Sequence, residues 1–239
     1  MTMIKAIQRL SNQLPLSTHY TWDGTGGAPI TIPATLTGAF ERNIYLKQNL
    51  GGSLTSNSWK AFFWIIQDWG GIKSFKDNPR NRGRIESFFV QLAAGKLTRE
   101  SHGLLPSLSK LAAFRTPGEC AIYDSRAVYA LNWLLFCNEK DPVLFPQPPS
   151  RNKTLMDMDT QTLFRLSGRP YTVRSCKTAY PEYCKLLKEL SSHALGMEPF
   201  YLEMLLFVAA KEWVPADIRR RTTVTIKTDT LRHATCSTP

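Results

Sequence analysis

The sequence lacks a long apolar run. A helix needs roughly 20 apolar residues to cross a bilayer, and the longest apolar stretch, at 202–210, falls well short of that length. The N-terminus (1–10) alternates polar and apolar residues and has no continuous apolar core of the kind that a secretory signal carries. We therefore expect a cytoplasmic protein with no membrane partner.

Paired cysteine motifs are also missing. The five cysteines are an odd number and include no Cys-x-x-Cys, which excludes a disulfide framework and a zinc ribbon. The four histidines are far apart in the sequence, and none lies near a cysteine at ligand spacing. The glycine cluster at 24–27 is not followed by Gly-Lys-Ser/Thr, so it is not a phosphate loop. We expect no metal and no cofactor.

Acidic residues are scarce relative to basic ones. Nineteen Asp and Glu stand against thirty Lys and Arg, which gives a formal net charge of +11. A field of this sign favours a polyanion, and nucleic acid is the commonest one in a cytoplasm. The basic residues recur along the middle of the chain, a spacing that suits a folded surface following a phosphate backbone. We predict a monomer that binds double-stranded DNA and associates with the nucleoid, with contacts from Lys96, Arg99, Arg115 and Arg126.

Apolar residues recur at helical spacing over most of the chain. Trp59, Phe62, Phe63, Ile66 and Trp69 form one stripe, which ends at a pair of glycines. Similar patterns predict further helices, so the fold class is mainly α. The predicted organisation starts with an irregular N-terminal segment (1–58), which has a short extended stretch at 30–32, and continues with a helical half (59–141). A closing helical half (142–214) begins with a proline-rich crossing at 142–149, and a loosely ordered polar basic tail (215–239) ends the chain.

A helix, a tight turn and a second helix are predicted over 97–115. Thr98 caps a short helix that runs through about 104, residues 105–109 form the connection, and the second helix starts near Ser109. Such a hairpin can aim backbone N–H groups at a phosphate. Ser107 and Ser109 would add hydroxyl donors to it. The same pattern also fits an ordinary antiparallel pair of helices.

Asp124 and Lys110 are the candidate catalytic residues. Asp124 follows the apolar stretch 121–123 and precedes a buried helix predicted over 125–136, where an aspartate is a good N-cap. The helix dipole keeps such a carboxylate ionised and available beside a reaction centre. Lys110 becomes a nucleophile only if burial or a neighbouring positive charge lowers its pKa.

Aromatic side chains are the candidates for stacking on a base. Trp64, Trp69 and Trp133 are of the right type, and Tyr123 lies next to the candidate aspartate. Aromatic residues at helical spacing are more often part of a core. Trp64 falls off the apolar stripe, so it is the least core-like of the tryptophans.

Residues 59–213 resemble the helix-hairpin-helix DNA glycosylases, in the bacterial branch with an 8-oxoguanine-glycosylase-like fold. The resemblance is carried by 105–114, with Lys110 after the turn; by Tyr123-Asp124-Ser125-Arg126 leading into 127–135; and by 180–190 followed by 202–207. The turn has serines where the family usually has glycines, and the interval from Lys110 to Asp124 is a few residues shorter.

The resemblance implies a specific chemistry. A damaged or modified base is rotated out of the duplex, since its glycosidic bond is shielded within the stack. Asp124 then stabilises the positive charge on the sugar. Lys110 attacks the sugar C1′ and forms a Schiff base, or else water attacks and an abasic site is left. Two alternatives stay open: a non-catalytic DNA-binding module of the same fold, and a helical protein that binds an acidic protein partner. The identity of the base that is removed is also open, and so is the setting, which could be DNA repair or defence against foreign DNA.

Overall fold

The computed structural model describes residues 2–55 and 57–225. It is mainly helical, which confirms the predicted class. The helices are α1 (Met3–Gln13), α2 (Leu16–His19), α3 (Ala39–Asn49), α4 (Trp59–Trp64), α5 (Pro79–Ala93), α6 (Arg99–Gly103), α7 (Leu105–Arg115), α8 (Ser125–Asn138), α9 (Lys153–Asp157), α10 (Thr160–Leu166), α11 (Ala179–Leu195), α12 (Pro199–Ala209) and α13 (Trp213–Arg221). A 3-10 turn (Gly51–Ser53) follows α3, a π-helical turn (Ile65–Trp69) follows α4, and the short strands β1 (Val143–Leu144) and β2 (Thr172–Val173) pair in parallel. Among these described helices, none has the length and apolarity that crossing a bilayer requires.

The core is centred on α8. Residues 127–136 are all buried, so this helix is apolar on every side and is surrounded by others. Helix α12 packs against α8 and α11, and α1 packs against all three. Most buried apolar side chains before and after the proline-rich crossing at 142–149 belong to one hydrophobic cluster, and Phe200 and Met204 pack with Tyr20 in a smaller one. The two predicted helical halves therefore share the main core.

The N-terminal region is more ordered than the sequence predicts. Helices α1 and α3 lie within residues 1–58, so the expectation of an irregular segment is wrong for both. Helix α1 buries Met3, Ala6, Ile7 and Leu10, which have the three- and four-residue spacing of an amphipathic helix. No strand forms at 30–32, since these residues are coil.

The hairpin also differs from the prediction. Leu104 alone separates α6 from α7, and the residues predicted to connect the two helices are already helical. Pro106 sits in the first turn of α7, where its missing N–H costs no hydrogen bond. Thr98 caps α6 as predicted, because its hydroxyl accepts from the Ser101 N–H at 3.2 Å.

The region predicted as a loose tail begins as a helix. Helix α12 ends at Ala209, and α13 then runs from Trp213 into the predicted tail as far as Arg221. The buried Asp217 carboxylate explains this order, because it accepts from the Trp133 indole at 3.0 Å and from the Arg221 guanidinium at 2.7 Å. The remainder of the predicted tail, 226–239, lies outside the described residues.

A buried asparagine ties α8 to β1. Asn132 donates to the Phe145 carbonyl at 2.9 Å and accepts from the Phe145 N–H at 2.8 Å. We expect Asn132→Ala to lower the free energy of unfolding by about 2–4 kcal/mol, because it leaves two buried backbone groups unpaired. Urea denaturation measures the loss. The control is Asn138→Ala near the end of the same helix, whose side chain donates one bond to the Leu134 carbonyl at 2.8 Å. Equal losses in the two variants would contradict the assigned role.

Candidate active site

Lys110 and Asp124 line the same pocket. It has a volume of about 200 Å³ and lies between α7, the N-terminus of α8, α12 and the N-terminal residues 20–22. The side chains that bring charge to it are Lys110, Asp124, Arg126 and Glu203. The two candidate catalytic residues are therefore brought together, although they lie on different helices.

Asp124 is the N-cap of α8, as the sequence predicts. Its Oδ1 accepts from the backbone N–H groups of Arg126 at 2.9 Å and Ala127 at 2.8 Å. Within residues 2–55 and 57–225, no donor reaches Oδ2. The backbone thus fixes the carboxylate, the helix dipole favours its negative charge, and one oxygen remains for a ligand.

Lys110 is buried beside this carboxylate. Its ammonium donates to the Pro106 carbonyl, one turn earlier in α7. Burial lowers the pKa of Lys110; the carboxylates of Asp124 and Glu203 partly oppose this shift, and the positive charges of Lys47 and Arg126 add to it. A lowered pKa leaves more of the amine neutral at a given pH, which is the condition for nucleophilic attack.

Gly70 makes room for the lysine. A Cβ at this position would lie 2.7 Å from the Lys110 Cδ and 2.7 Å from the Ile66 carbonyl oxygen. Gly70 directly follows the π-helical turn, and π-helical insertions are frequent at functional sites. The glycine that stops the predicted helix therefore also packs against the aliphatic part of Lys110.

Two tryptophans form a fixed wall of the pocket. The Trp69 indole donates to the Asn43 Oδ1 at 2.7 Å, the Asn43 amide donates to the Trp22 carbonyl at 2.8 Å, and the Trp22 indole donates to the Trp69 carbonyl at 3.0 Å. This closed cycle holds both rings in place. Trp69, a predicted stacking residue, lines this pocket but is only 4% exposed, so its stacking role stays a prediction; Trp22, which also lines the pocket, was not identified as a candidate.

Phe207 and Tyr20 complete the aromatic lining. The Arg126 guanidinium lies 4.4 Å from the centre of the Phe207 ring, and the Tyr20 ring packs against Phe207 at 6.1 Å. Burial raises the pKa of Tyr20, and the charges of Glu203 and Asp124 raise it further. Tyr20 is therefore a neutral phenol at physiological pH, and Arg126 brings a cation to the pocket.

Glu203 is the functional candidate that the sequence prediction missed. Its Oε2 accepts from the Lys47 ammonium at 2.8 Å, and both side chains are buried. A signal for it exists in the sequence, because a single glutamate stands inside the apolar stretch 202–210. Charged side chains in apolar helices require a partner, but the pattern does not say that the partner is Lys47 on α3.

Comparison with family models, curated proteins and solved structures found no match for this chain. The resemblance to DNA glycosylases stays a prediction, and function has to be argued from the pocket.

Two of the predicted base-pocket residues lie elsewhere. Tyr123 is fully buried, its hydroxyl donates to the Pro146 carbonyl at 2.7 Å, and its ring packs against Tyr183 at 4.9 Å. Trp64 lines a different pocket, where its indole donates to the Gly26 carbonyl at 3.0 Å. The prediction is wrong for Tyr123, and for Trp64 it stays a prediction that concerns a different pocket. Trp133, the third stacking candidate, is also buried and lines other cavities.

The predicted phosphate-binding serines point into the protein. The Ser109 hydroxyl donates to the Leu105 carbonyl at 2.5 Å and accepts from the Tyr123 N–H at 3.0 Å. Ser107 is 6% exposed. The expectation of hydroxyl donors at a DNA surface is therefore wrong for both serines. Ser109 instead joins α7 to the segment that leads into Asp124.

The other predicted DNA contacts remain predictions. Lys96, Arg99 and Arg115 are exposed, and none of the three lines the pocket. The Arg115 guanidinium lies over the Phe89 ring at 4.7 Å. Arg126 is the predicted DNA contact that lies at the pocket itself.

Proposed function

We propose that this protein is a DNA glycosylase that hydrolyses the N-glycosidic bond of a flipped-out damaged or modified base and leaves an abasic site. Base-excision repair and defence against base-modified foreign DNA both use this chemistry. One observation carries the proposal: the Asp124 carboxylate and the buried Lys110 amine share a pocket walled by Trp22 and Trp69.

The dimensions of the pocket suit a single base. Sites for drug-sized ligands have volumes of about 300–1,000 Å³, and this pocket has about 200 Å³. Stacking on an aromatic side chain contributes about 1–3 kcal/mol per base, which offsets part of the cost of unstacking it from the duplex. Trp22 is half-buried and can offer such a surface, and the cycle through Asn43 and the buried Trp69 fixes it before a ligand arrives.

The charges of the pocket suit cleavage of a glycosidic bond. When the bond from C1′ to the base nitrogen breaks, its electron pair leaves with the base and the sugar becomes positively charged. Asp124 Oδ2 can stabilise that charge, since Oδ1 is held by the backbone. The neutral amine of Lys110 can then form a bond to C1′, or a water can do so; in either case the attacking group transfers a proton to the carboxylate.

The net charge supports a DNA substrate. A protein with a net charge of +11 attracts the phosphate backbone, and such binding weakens steeply as salt increases. Arg126 brings one of these cations to the pocket.

A non-catalytic DNA-binding module is the second candidate. The departures from the family pattern favour it: serines replace the glycines of the turn, and the interval from Lys110 to Asp124 is shorter than in the catalytic members. Such a module would bind DNA in a salt-sensitive way and release no base.

Base release from modified DNA tests the proposed function directly. We expect that incubation with oxidised, alkylated and naturally base-modified genomic DNAs liberates a free base that mass spectrometry identifies. Alkali-labile abasic sites should appear in the same DNA and be absent from samples without protein. Salt-sensitive binding with no released base from any DNA would favour the module. Failure to bind duplex DNA at low salt would favour a protein partner.

A further inference from the structure

The pocket contains a second carboxylate that cleavage of the glycosidic bond does not use. In the described part of the chain, the acidic side chains that line the pocket are Asp124 and Glu203. Asp124 is half-buried at the start of α8, whereas Glu203 is 4% exposed in the middle of α12. Glu203 is therefore the more deeply buried of the two carboxylates that line the pocket.

Glu203 forms an ion pair with the Lys47 ammonium at 2.8 Å, and this pair does not fill the hydrogen-bonding capacity of the carboxylate. Lys47 donates to Oε2, and among the described residues no side chain donates to Oε1. Burial raises the pKa of Glu203, while the Lys47 ammonium and the Ile122 backbone N–H act in the opposite direction. An ionised carboxylate accepts hydrogen bonds and cannot donate them.

In the described residues, Glu203 is the only anionic partner of Lys47. It is fully buried, and its ammonium lies 5.8 Å from the Trp69 ring centre, 5.3 Å from that of Phe114 and 5.9 Å from that of Phe200. A buried ion pair is often no more stabilising than a well-packed apolar pair in its place. Stability alone does not account for a pair whose carboxylate opens onto a pocket.

We propose that Glu203 accepts a hydrogen bond from an exocyclic amino group of the flipped base, so that the protein selects amino-bearing bases over their oxo counterparts. That a flipped base enters the pocket is taken from the proposed function; the inference itself concerns recognition of the base and not cleavage of its bond. Lys47 is the positioning residue that holds the carboxylate in place.

The chemistry of base edges explains the selectivity. Cytosine and adenine present an amino group at the position where uracil and hypoxanthine present a carbonyl oxygen. An amino group donates a hydrogen bond to the Glu203 carboxylate. A carbonyl oxygen in the same place is an acceptor, as the carboxylate is, so the two groups repel each other. A single hydrogen bond to a charged group contributes about 1.5–3 kcal/mol, so we expect a preference of about 10- to 100-fold.

Binding of free bases tests the selectivity without requiring any cleavage. Ligand-observed NMR with the full chain would compare cytosine with uracil and adenine with hypoxanthine. We expect the amino member of each pair to bind about 10- to 100-fold more tightly. Equal binding within each pair, or no binding of any base, would overturn the proposal. Preferential binding without base release from any DNA would refute the glycosylase and leave recognition by Glu203 intact.

A double variant assigns the preference to Glu203. We expect Glu203→Gln combined with Lys47→Met to bring the members of each pair close to equal affinity, since the amide can donate to a carbonyl and no unpaired ammonium is left behind. The matched control is Glu119→Gln, whose carboxylate pairs with Lys188 and does not line the pocket. A preference that persists in a folded double variant would rule out Glu203 as its source. The comparison in the unmodified protein decides the selectivity if the double variant fails to fold.

Discussion

Replacing Asp124 with Asn is expected to abolish base release while DNA binding and the fold persist. Asparagine is as good an N-cap as aspartate, so its side-chain oxygen can still accept from the N–H groups of Arg126 and Ala127. What disappears is the negative charge beside the sugar. Loss of one preorganised electrostatic contact costs about 10²–10³-fold in rate, and a full charge should cost at least as much.

Single-turnover base release and fluorescence anisotropy with a labelled duplex measure the two effects separately. The control variant is Asp159→Asn, because Asp159 caps α10 through the N–H groups of Gln161 at 3.1 Å and Thr162 at 3.2 Å and does not line the pocket. We expect this variant to release bases at the rate of the unmodified protein. Full activity of Asp124→Asn would show that the catalytic carboxylate has been assigned to the wrong residue.

The local chemistry of the chain predicts Asp124 because capping depends on neighbouring residues. A short polar side chain before an apolar helix has few alternatives to accepting from the first N–H groups of that helix. The same kind of capping is seen at α10, where the Asp159 carboxylate accepts from the N–H groups of Gln161 and Thr162, and at the end of α5, where Gly95 has a positive φ of 69°. Features set by adjacent residues are accessible from the sequence.

Features set by tertiary packing are not accessible in this way. Lys47 and Glu203 are separated by 156 positions, and their pairing depends on where α3 and α12 meet. Trp22 lies in a coil whose composition predicts turns, and its position is fixed by Asn43 and Trp69. Tyr123 was misassigned for a related reason: a residue next to Asp124 in the chain points to the opposite side, into the core.

Lys110 should form a covalent adduct with DNA that borohydride traps. Its lowered pKa and its place in the pocket of Asp124 favour attack on C1′, which would produce a Schiff base after the base leaves. We expect Lys110→Met to give no trapped adduct, since methionine has no amine. The control is Lys188→Met, which removes an exposed lysine that pairs with Glu119. Gel electrophoresis after reduction detects the adduct.

The pH dependence of trapping distinguishes Lys110 from a surface lysine. The neutral amine is the reactive form, so the rate rises as the pH rises through the pKa and then levels off. Because burial lowers the pKa of Lys110, the trapping rate should rise at a lower pH than it would for a lysine with the ordinary pKa of 10.5. Base release without any trapped adduct would mean that water is the nucleophile. In that case Lys110 would not bond to the sugar, and Asp124 would be the one candidate catalytic residue left.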